Sequence, residues 1–371
     1  MDEFRTQIRS WLAEHLDPAL KGLGGPGREH EAFEERRAWE RKLGAAGWNG
    51  LGWPPAHGGR GATIEQQVAF HEEYARADAP ARVGHLGQEL LGPALIAFGT
   101  EAQQRRFLPK ILAVDELWCQ GYSEPGAGSD LAAVATKARV RNDEWVITGQ
   151  KVWTSLAHVA DWCFALVRTE PDSKRHHGLS FLLIPMHQDG VEVRPIRQLT
   201  GTAEFNEVFF TEARTAKDLV VGAPGDGWRV AMGVLGFERG VATLGQQVGF
   251  RRELGAITEL AETSGVATDP HVAEAIARAW VGLEVMHAHA LRAPDGPGAA
   301  SVAKLVWAGW HRKLGELAML VRGAAGLVAT EDRWQRLFLF SRADTIYGGS
   351  DEIQRTVIAE RVLGLPREAR P

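Results

Sequence analysis

Trp162-Cys-Phe-Ala-Leu-Val167 and Leu179-Ser-Phe-Leu-Leu-Ile184 are two short apolar runs, each the length of a strand, with a polar stretch between them. Runs of that length, rich in aromatic and branched side chains and bounded by turn formers, read as buried β-strands. The pattern extends outward on both sides. Before them stand Ala138 and Val140, then Trp145-Val-Ile147, then Val152-Trp153; after them come Val191 and Val193, then Val208-Phe-Phe210. Asn142-Asp143, Thr148-Gly149 and Asp189-Gly190 are the turn signals between strands. The expected element is an antiparallel β-sandwich or barrel of roughly a hundred residues, an ordinary domain size.

Further out the period changes to that of helices. Phe4, Ile8, Trp11, Leu12 and Leu16 share one helix face, and Pro93 to Phe98 and Gln103 to Leu112 continue the pattern, with Gly47 to Pro55 and Gly58-Gly-Arg-Gly61 as connecting loops. After Gly222-Ala-Pro-Gly-Asp-Gly227, Val234, Phe237, Val241, Leu244 and Val248 step by three and four along one long helix. A second helix is predicted to start at Thr268-Asp269-Pro270, where Thr or Asp can cap and Pro suits the first turn. A third is predicted over about Ser301 to Leu320, and a last one after Gly348-Gly349-Ser350. The reading is α, β, α: a helical domain over 1–116, a β domain over 117–222 and an α bundle over 223–371.

The 371 residues carry 42 Lys and Arg against 47 Asp and Glu, interspersed, a net charge of −5 that leaves no footprint for nucleic acid. Two cysteines, Cys119 and Cys163, read as inert thiols in a reducing compartment. An acidic, amphipathic start and the lack of any run of about 18 apolar residues lead us to expect a soluble cytoplasmic protein. The 13 Trp beside 3 Tyr have no explanation in composition.

Four places carry chemistry-bearing residues. The first helix after the β domain holds Gly233, Gly236, Gly240, Gly245 and Gly249, which argue for close approach by another helix or a flat ligand. Glu238 lies at the edge of its apolar stripe, where desolvation raises a carboxyl toward the range of a general base; a surface Glu beside Arg239 is the plainer reading. Ser123-Glu-Pro-Gly-Ala-Gly-Ser-Asp130 is a tight loop whose main-chain N–H groups suit an anion or ring edge, or simply turn the chain between domains. Gln150-Lys-Val-Trp-Thr-Ser155 puts Trp153 on a strand, ordinarily a core position. Ile346-Tyr-Gly-Gly-Ser-Asp-Glu-Ile-Gln354 offers donors at a helix start, although capping by Ser350 explains the same letters. His176-His177 and the pair His287 and His289 lack metal-ligand spacing, and neither a hydrolase elbow nor a dinucleotide Gly fingerprint is present.

In this order and spacing the motifs resemble the acyl-CoA dehydrogenase family. The resemblance runs from Gly52-Trp-Pro and Gly58-Gly-Arg-Gly, through Phe107-Leu-Pro, Ser123 to Asp130 and Gly149-Gln-Lys-Val-Trp-Thr-Ser, to Leu235-Gly-Phe-Glu-Arg-Gly and Ile353-Gln-Arg. It implies a helical N-terminal domain, a middle β-sandwich and a C-terminal four-helix bundle, with FAD between the last two and across a subunit interface. The implied reaction is α,β-dehydrogenation of an acyl-CoA thioester to the trans-2-enoyl-CoA. A carboxylate takes the α-proton, hydride passes to flavin N5, and electrons go on to an electron-transfer flavoprotein. In most of the family the carboxylate follows the position of Tyr347, where this chain has Gly348. The isovaleryl-CoA and long-chain branches carry Gly there and a Glu at the position of Glu238, which makes Glu238 the expected base and leaves the Gly348 N–H to hold the thioester oxygen.

The resemblance assigns Gln120, Tyr122, Ser123, Gly128, Ser129, Trp153, Thr154, Ser155, Ser350, Asp351 and Glu352 to FAD, and Ser129, Glu238, Arg239 and Gly349 to the substrate. No metal is expected. The family's Arg-x-x-Phe-Gly is replaced by Thr263 to Pro270, and its Gln-x-x-Gly-Gly by Leu320-Val-Arg-Gly-Ala-Ala-Gly326. Both normally reach the adenosine half of FAD across the dimer, so a paralogous partner in a heterotetramer stands beside a homo-oligomer. A weakly catalytic or non-catalytic partner subunit, and a flavin monooxygenase on the same fold, are the alternative readings.

Overall fold

The structure is a computed structural model that describes residues 1–238, 242–292, 298–328 and 332–367, with the side chains of all but 237–238, 242–245 and 290–292. It divides into two units, Met1–Arg239 and Gly240–Pro371.

The first unit begins with five α-helices, α1 (Asp2–His15), α2 (Phe33–Ala45), α3 (Ile64–Arg76), α4 (Gly92–Phe98) and α5 (Glu101–Leu112). Thr63 with Gln66 and Thr100 with Gln103 close reciprocal capping boxes that set where α3 and α5 start. Ile8, Leu12, Trp39, Leu43, Trp48 and Phe70 form the core of α1 to α3. The strands follow as β1 (Trp118–Gly121), β2 (Lys137–Arg141), β3 (Glu144–Ser155), β4 (Trp162–Arg168), β5 (Leu179–Pro185), β6 (Val191–Ile196), β7 (Phe205–Ala216) and β8 (Val220–Val221), of which β1 and β8 were not expected from the sequence. They make one sheet in the order β6-β7-β3-β2-β4-β5-β8, with β1 beside β4. Pairing is mainly antiparallel; β1 with β4 and a single β2–β4 pair are parallel.

The apolar runs of β4 and β5 divide by alternation between two cores. Phe164, Leu166, Leu179, Phe181 and Leu183 pack with α4, α5 and α6 (Gly227–Glu238). Cys163, Ala165, Val167, Leu182 and Ile184 face the other side, against Ile147, Val208 and Phe210. A strand buried on both faces is apolar at nearly every position, which is why these two runs are interrupted only at Ser180, whose buried hydroxyl hydrogen-bonds the Thr169 hydroxyl at 2.7 Å. Thr215 Oγ1 on β7 donates to Leu183 O on β5 at 2.5 Å, closing the curled sheet.

One expected turn is corrected. Asn142 and Asp143, both at positive φ, do turn the β2–β3 hairpin, but Thr148-Gly149 lies inside β3, at a register shift between Ile147 and Thr148. Glycine punctuates a bulge as readily as a turn, so the two predicted strands over 145–153 are one long bulged strand. The glycine argument for the helix after the β domain holds at Gly233, where a Cβ would meet the Phe98 ring at 2.6 Å; Gly236 and Gly249 have open space. Gly240 lies outside the described residues, as does the side-chain environment of position 245. The single helix expected across 230–250 is described as α6 and α7 (Ala242–Thr263), on either side of 239–241.

In the second unit α8 (Pro270–Arg292) begins where predicted, Asp269 Oδ1 accepting from the His271 N–H at 2.8 Å. α9 (Ala299–Arg322), α10 (Arg333–Phe340) and α11 (Asp351–Val357) complete it around Leu254, Ile257, Leu283, Trp310, Leu314 and Leu317. The tryptophan surplus now has an explanation: of all 13, Trp153 alone is exposed, and the others build the cores of the two units. Among the described residues no helix is long and apolar enough to cross a membrane, and no cluster of His, Cys, Asp and Glu could hold a metal ion.

Candidate active site

In the first unit the loop after β1 lies beside the second half of β3, joined to it where the Val152 N–H donates to Ser123 O at 2.9 Å. Beneath that junction is a buried ion pair that sequence reading missed. Lys151, fully buried, donates to Glu124 Oε1 at 2.8 Å, Tyr122 O at 3.1 Å and Leu166 O at 2.7 Å. Glu124 also accepts from the N–H groups of Ala135 at 2.6 Å and Thr136 at 3.0 Å. Burial opposes the charge of Glu124, yet the Lys151 ammonium and these hydrogen bonds hold its carboxyl below the ordinary range. Burial lowers Lys151 below the usual lysine range despite Glu124. All three ammonium donors are satisfied, so the pair ties together β1, β3, β4 and the far end of the loop. Both letters stood inside quoted motifs; what was not legible is that they meet.

Above the pair the strand is distorted. A second register shift falls between Lys151 and Thr154, and Trp153 has φ +59°, a left-handed conformation that costs a non-glycine residue about 1 kcal/mol or more. The residue is 57% exposed, which sets aside its core reading. Thr154 is fully buried and its Oγ1 has no hydrogen-bond partner among the described residues; the same is true of Gln120 Nε2 on β1. Ser155 is half-buried at the end of β3. Gly128 and Ser129 are exposed on the loop, and a Cβ at 128 would meet nothing within 4 Å. The Tyr122 side chain packs edge-on against Phe164 and Phe181 in the core, so only its main chain faces the loop. An exposed indole beside buried, unanswered polar atoms is an arrangement that a flat heteroaromatic ligand with polar edges would complete.

In the second unit the turn before α11 carries Gly348 at φ +64° and Gly349 at φ +88°, conformations that favour glycine. Gln354, fully buried, donates from Nε2 to Gly348 O at 3.0 Å and Gly349 O at 3.4 Å. Ser350 is indeed the cap, its Oγ accepting from the Ile353 N–H at 3.4 Å. Asp351 Oδ1 is buried without a partner among the described residues, and Glu352 is exposed. Behind the turn, His311 on α9 sits between two carboxylates, Nδ1 at 2.6 Å from Asp344 Oδ2 and Nε2 at 2.9 Å from Glu253 Oε2. Burial works against the imidazolium, but the hydrogen bonds and charges of Asp344 and Glu253 prevail and raise its pKa to about 9. None of these three was singled out in the sequence.

Glu238 is the last residue of α6; its side chain, and the whole of Arg239, lie outside the described residues.

Three family models match the chain: acyl-CoA dehydrogenase, N-terminal domain, over residues 1–115; middle domain, over 119–213; and C-terminal domain, over 225–363. It is 65% identical to acyl-CoA dehydrogenase IpdE1 of Mycobacterium tuberculosis, over 100% of this chain and 99% of that protein. It is 40% identical to acyl-CoA dehydrogenase FadE34 of the same organism, over 85% of this chain and 44% of that protein. Among solved structures, the Tcur3481-Tcur3483 steroid ACAD is similar with a TM-score of 0.86 and 29% identity, covering 99% of this chain and 98% of that one. The ChsE4-ChsE5 complex from Mycobacterium tuberculosis gives a TM-score of 0.83 and 31% identity, with 99% and 98% covered.

Proposed function

Since the chain belongs to the acyl-CoA dehydrogenase family, we propose that it carries out FAD-dependent α,β-dehydrogenation of an acyl-CoA thioester with Glu238 as the base. The observation that carries this assignment is Gly348. At φ +64° in a turn of two glycines, position 348 supplies a main-chain N–H and no carboxylate, so the α-proton must be taken by a carboxylate elsewhere, and Glu238 is the family's other station for it.

The residues of the first unit fit a flavin. Trp153 offers an exposed aromatic face, and Thr154 Oγ1 and Gln120 Nε2 lack the partners that polar ring edges would provide. Ser123, Gly128, Ser129 and Ser155, with the main chain at Tyr122, would complete that side, and the family resemblance adds Ser350, Asp351 and Glu352 to the residues for FAD. Bound FAD supplies the acceptor for the hydride that leaves Cβ. The chain's own residues do the rest. The Gly348 N–H donates to the thioester oxygen and lowers the cost of charge there as the α-proton departs. Glu238 takes that proton, Arg239 orients the site, and Gly349 and Ser129 meet the substrate, Ser129 at the CoA pyrophosphate. Glu238→Gln should keep FAD and acyl-CoA binding while flavin bleaching by substrate slows roughly 10²- to 10⁴-fold; near-normal bleaching would sink the assignment.

The solved relatives named as paired subunits, one of them as a steroid ACAD, lead us to a paralogous partner and a steroidal or similarly bulky acyl-CoA for this chain, with an electron-transfer flavoprotein as acceptor. An anaerobic screen of short, branched, aromatic and steroidal acyl-CoAs, read by flavin bleaching, tests the substrate class. The replaced motifs at 263–270 and 320–326 favour one second reading, a subunit that holds FAD only beside its mate. A protein that purifies colourless alone and yellow on co-expression would support it.

A further inference from the structure

The turn that carries Gly348 rests on a charged network that the reaction itself does not use. Asp344, 1% exposed, is the hub. Its Oδ2 faces His311 Nδ1 at 2.6 Å, and its Oδ1 accepts from the Tyr347 hydroxyl at 2.6 Å. Its main-chain carbonyl accepts from Lys304 Nζ, and that ammonium lies 4.7 Å from the Trp307 ring centroid and 5.2 Å from that of Tyr347. His311 is also held by Glu253 on α7 at 2.9 Å and stacks on Phe250 at 4.5 Å. An imidazole between two carboxylate oxygens needs a proton on each nitrogen, so the geometry alone calls for the imidazolium. The groups facing it are then Glu253 from α7 and Asp344 from just before the turn, with Lys304 of α9 and Tyr347 bound to Asp344 in turn, and the four charged members of the network sum to zero.

Such a network is costly to bury and is a poor general adhesive, since apolar packing does as well. What it supplies is position. Both carboxylate oxygens and the main-chain carbonyl of Asp344 are engaged, each by a different residue, and Tyr347, hydrogen-bonded to it, is the residue immediately before Gly348. We propose that Glu253, His311, Asp344 and Tyr347 act as positioning residues, a relay from α7 through α9 that sets the 346–350 turn and with it the Gly348 N–H. The proposal rests on the assignment of that N–H to the thioester oxygen made above. The imidazolium is the replaceable link: deprotonation of His311, near pH 9, removes the donor to one of the two carboxylates and frees the turn.

The test is amide hydrogen exchange of the FAD-loaded full chain without substrate, with flavin bleaching measured in parallel using the acyl-CoA that bleaches the wild type fastest. Tyr347→Phe keeps the ring and removes only the hydroxyl; His311→Gln removes the titration. In Tyr347→Phe, exchange in the peptide spanning 345–350 should rise while peptides of α9 stay protected. Bleaching should slow roughly 10- to 100-fold with KM little changed, as displacement of an aligned donor predicts. In the wild type both readouts should step near pH 9, and the step should vanish in His311→Gln. Unchanged exchange in Tyr347→Phe, or a wild type with no step between pH 7 and 10, overturns the relay. A turn that loosens while bleaching keeps its rate supports the relay and overturns the role given to Gly348.

Discussion

The 150–155 segment of β3 and the 346–350 turn both carry irregular main chain at candidate site residues, yet opposite kinds of charge hold them. Trp153 and Thr154 stand over the Glu124–Lys151 pair, in which a carboxylate held below its ordinary range takes an ammonium and two N–H groups. The glycine turn stands over an imidazolium that two carboxylates raise to about 9. The two supports therefore fail at opposite ends of the pH scale. Glu124, with its folded pKa depressed, contributes stability that is present above its unfolded value and lost as pH falls through the folded one. His311, with its folded pKa raised, contributes stability that is full below about 6.5 and lost as pH rises through about 9. A reaction that needs both segments in place is bounded on the acid side by the first unit and on the alkaline side by the second.

Lys151→Met breaks the comparison most severely, because it leaves the Glu124 carboxylate buried without its countercharge. We expect a loss of about 3–5 kcal/mol in urea unfolding, and a loss under about 1 kcal/mol would show that the pair is ornamental. Next comes the titration of the other support. A rise from 6.5 to about 9, at about 1.36 kcal/mol per unit, makes unfolding at pH 10 easier than at pH 6.5 by about 3 kcal/mol, and His311→Gln should flatten that slope. Ser350→Ala sharpens the contrast from within the turn: loss of the cap to the Ile353 N–H should cost about 1 kcal/mol, read as a lowered Tm. The smallest effect on stability is expected at Trp153. Trp153→Gly removes an exposed ring and the strain of φ +59°, so the unfolding free energy should move by no more than about 1 kcal/mol. FAD retention, measured by the ratio of flavin to protein absorbance after purification, should fall; full retention would remove Trp153 from the cofactor site.

How much could be read without the structure depended on whether the information was local. β4 and β5 were legible because burial on both faces leaves near-continuous apolar runs, and the starts of α8 and α11 because Asp269 and Ser350 cap residues two or three positions away. Thr148-Gly149 misled because one glycine serves a turn or a bulge, and only the pairing with β7 decides which. Trp153 was ambiguous for the same reason: alternation along a strand assigns a face only while the ladder is regular, and the register shift after Lys151 suspends it. The burial of the Tyr122 side chain against Phe164 and Phe181 was not legible either, because both partners lie more than 40 residues away in the chain.

Residue identity at a position is a fact of the chain alone, and so the order of helices and strands, the missing carboxylate at Gly348 and the candidacy of Glu238 were all present in the letters. Which groups support them was decided by folding. Lys151 finds Glu124 across 27 residues, His311 finds Asp344 across 33 and Glu253 across 58, and each pair is chosen from many acids and bases of the same kind. Local pattern carries no information about such partners, because the free energy that selects them comes from burial and desolvation, which exist only once the distant segments have packed.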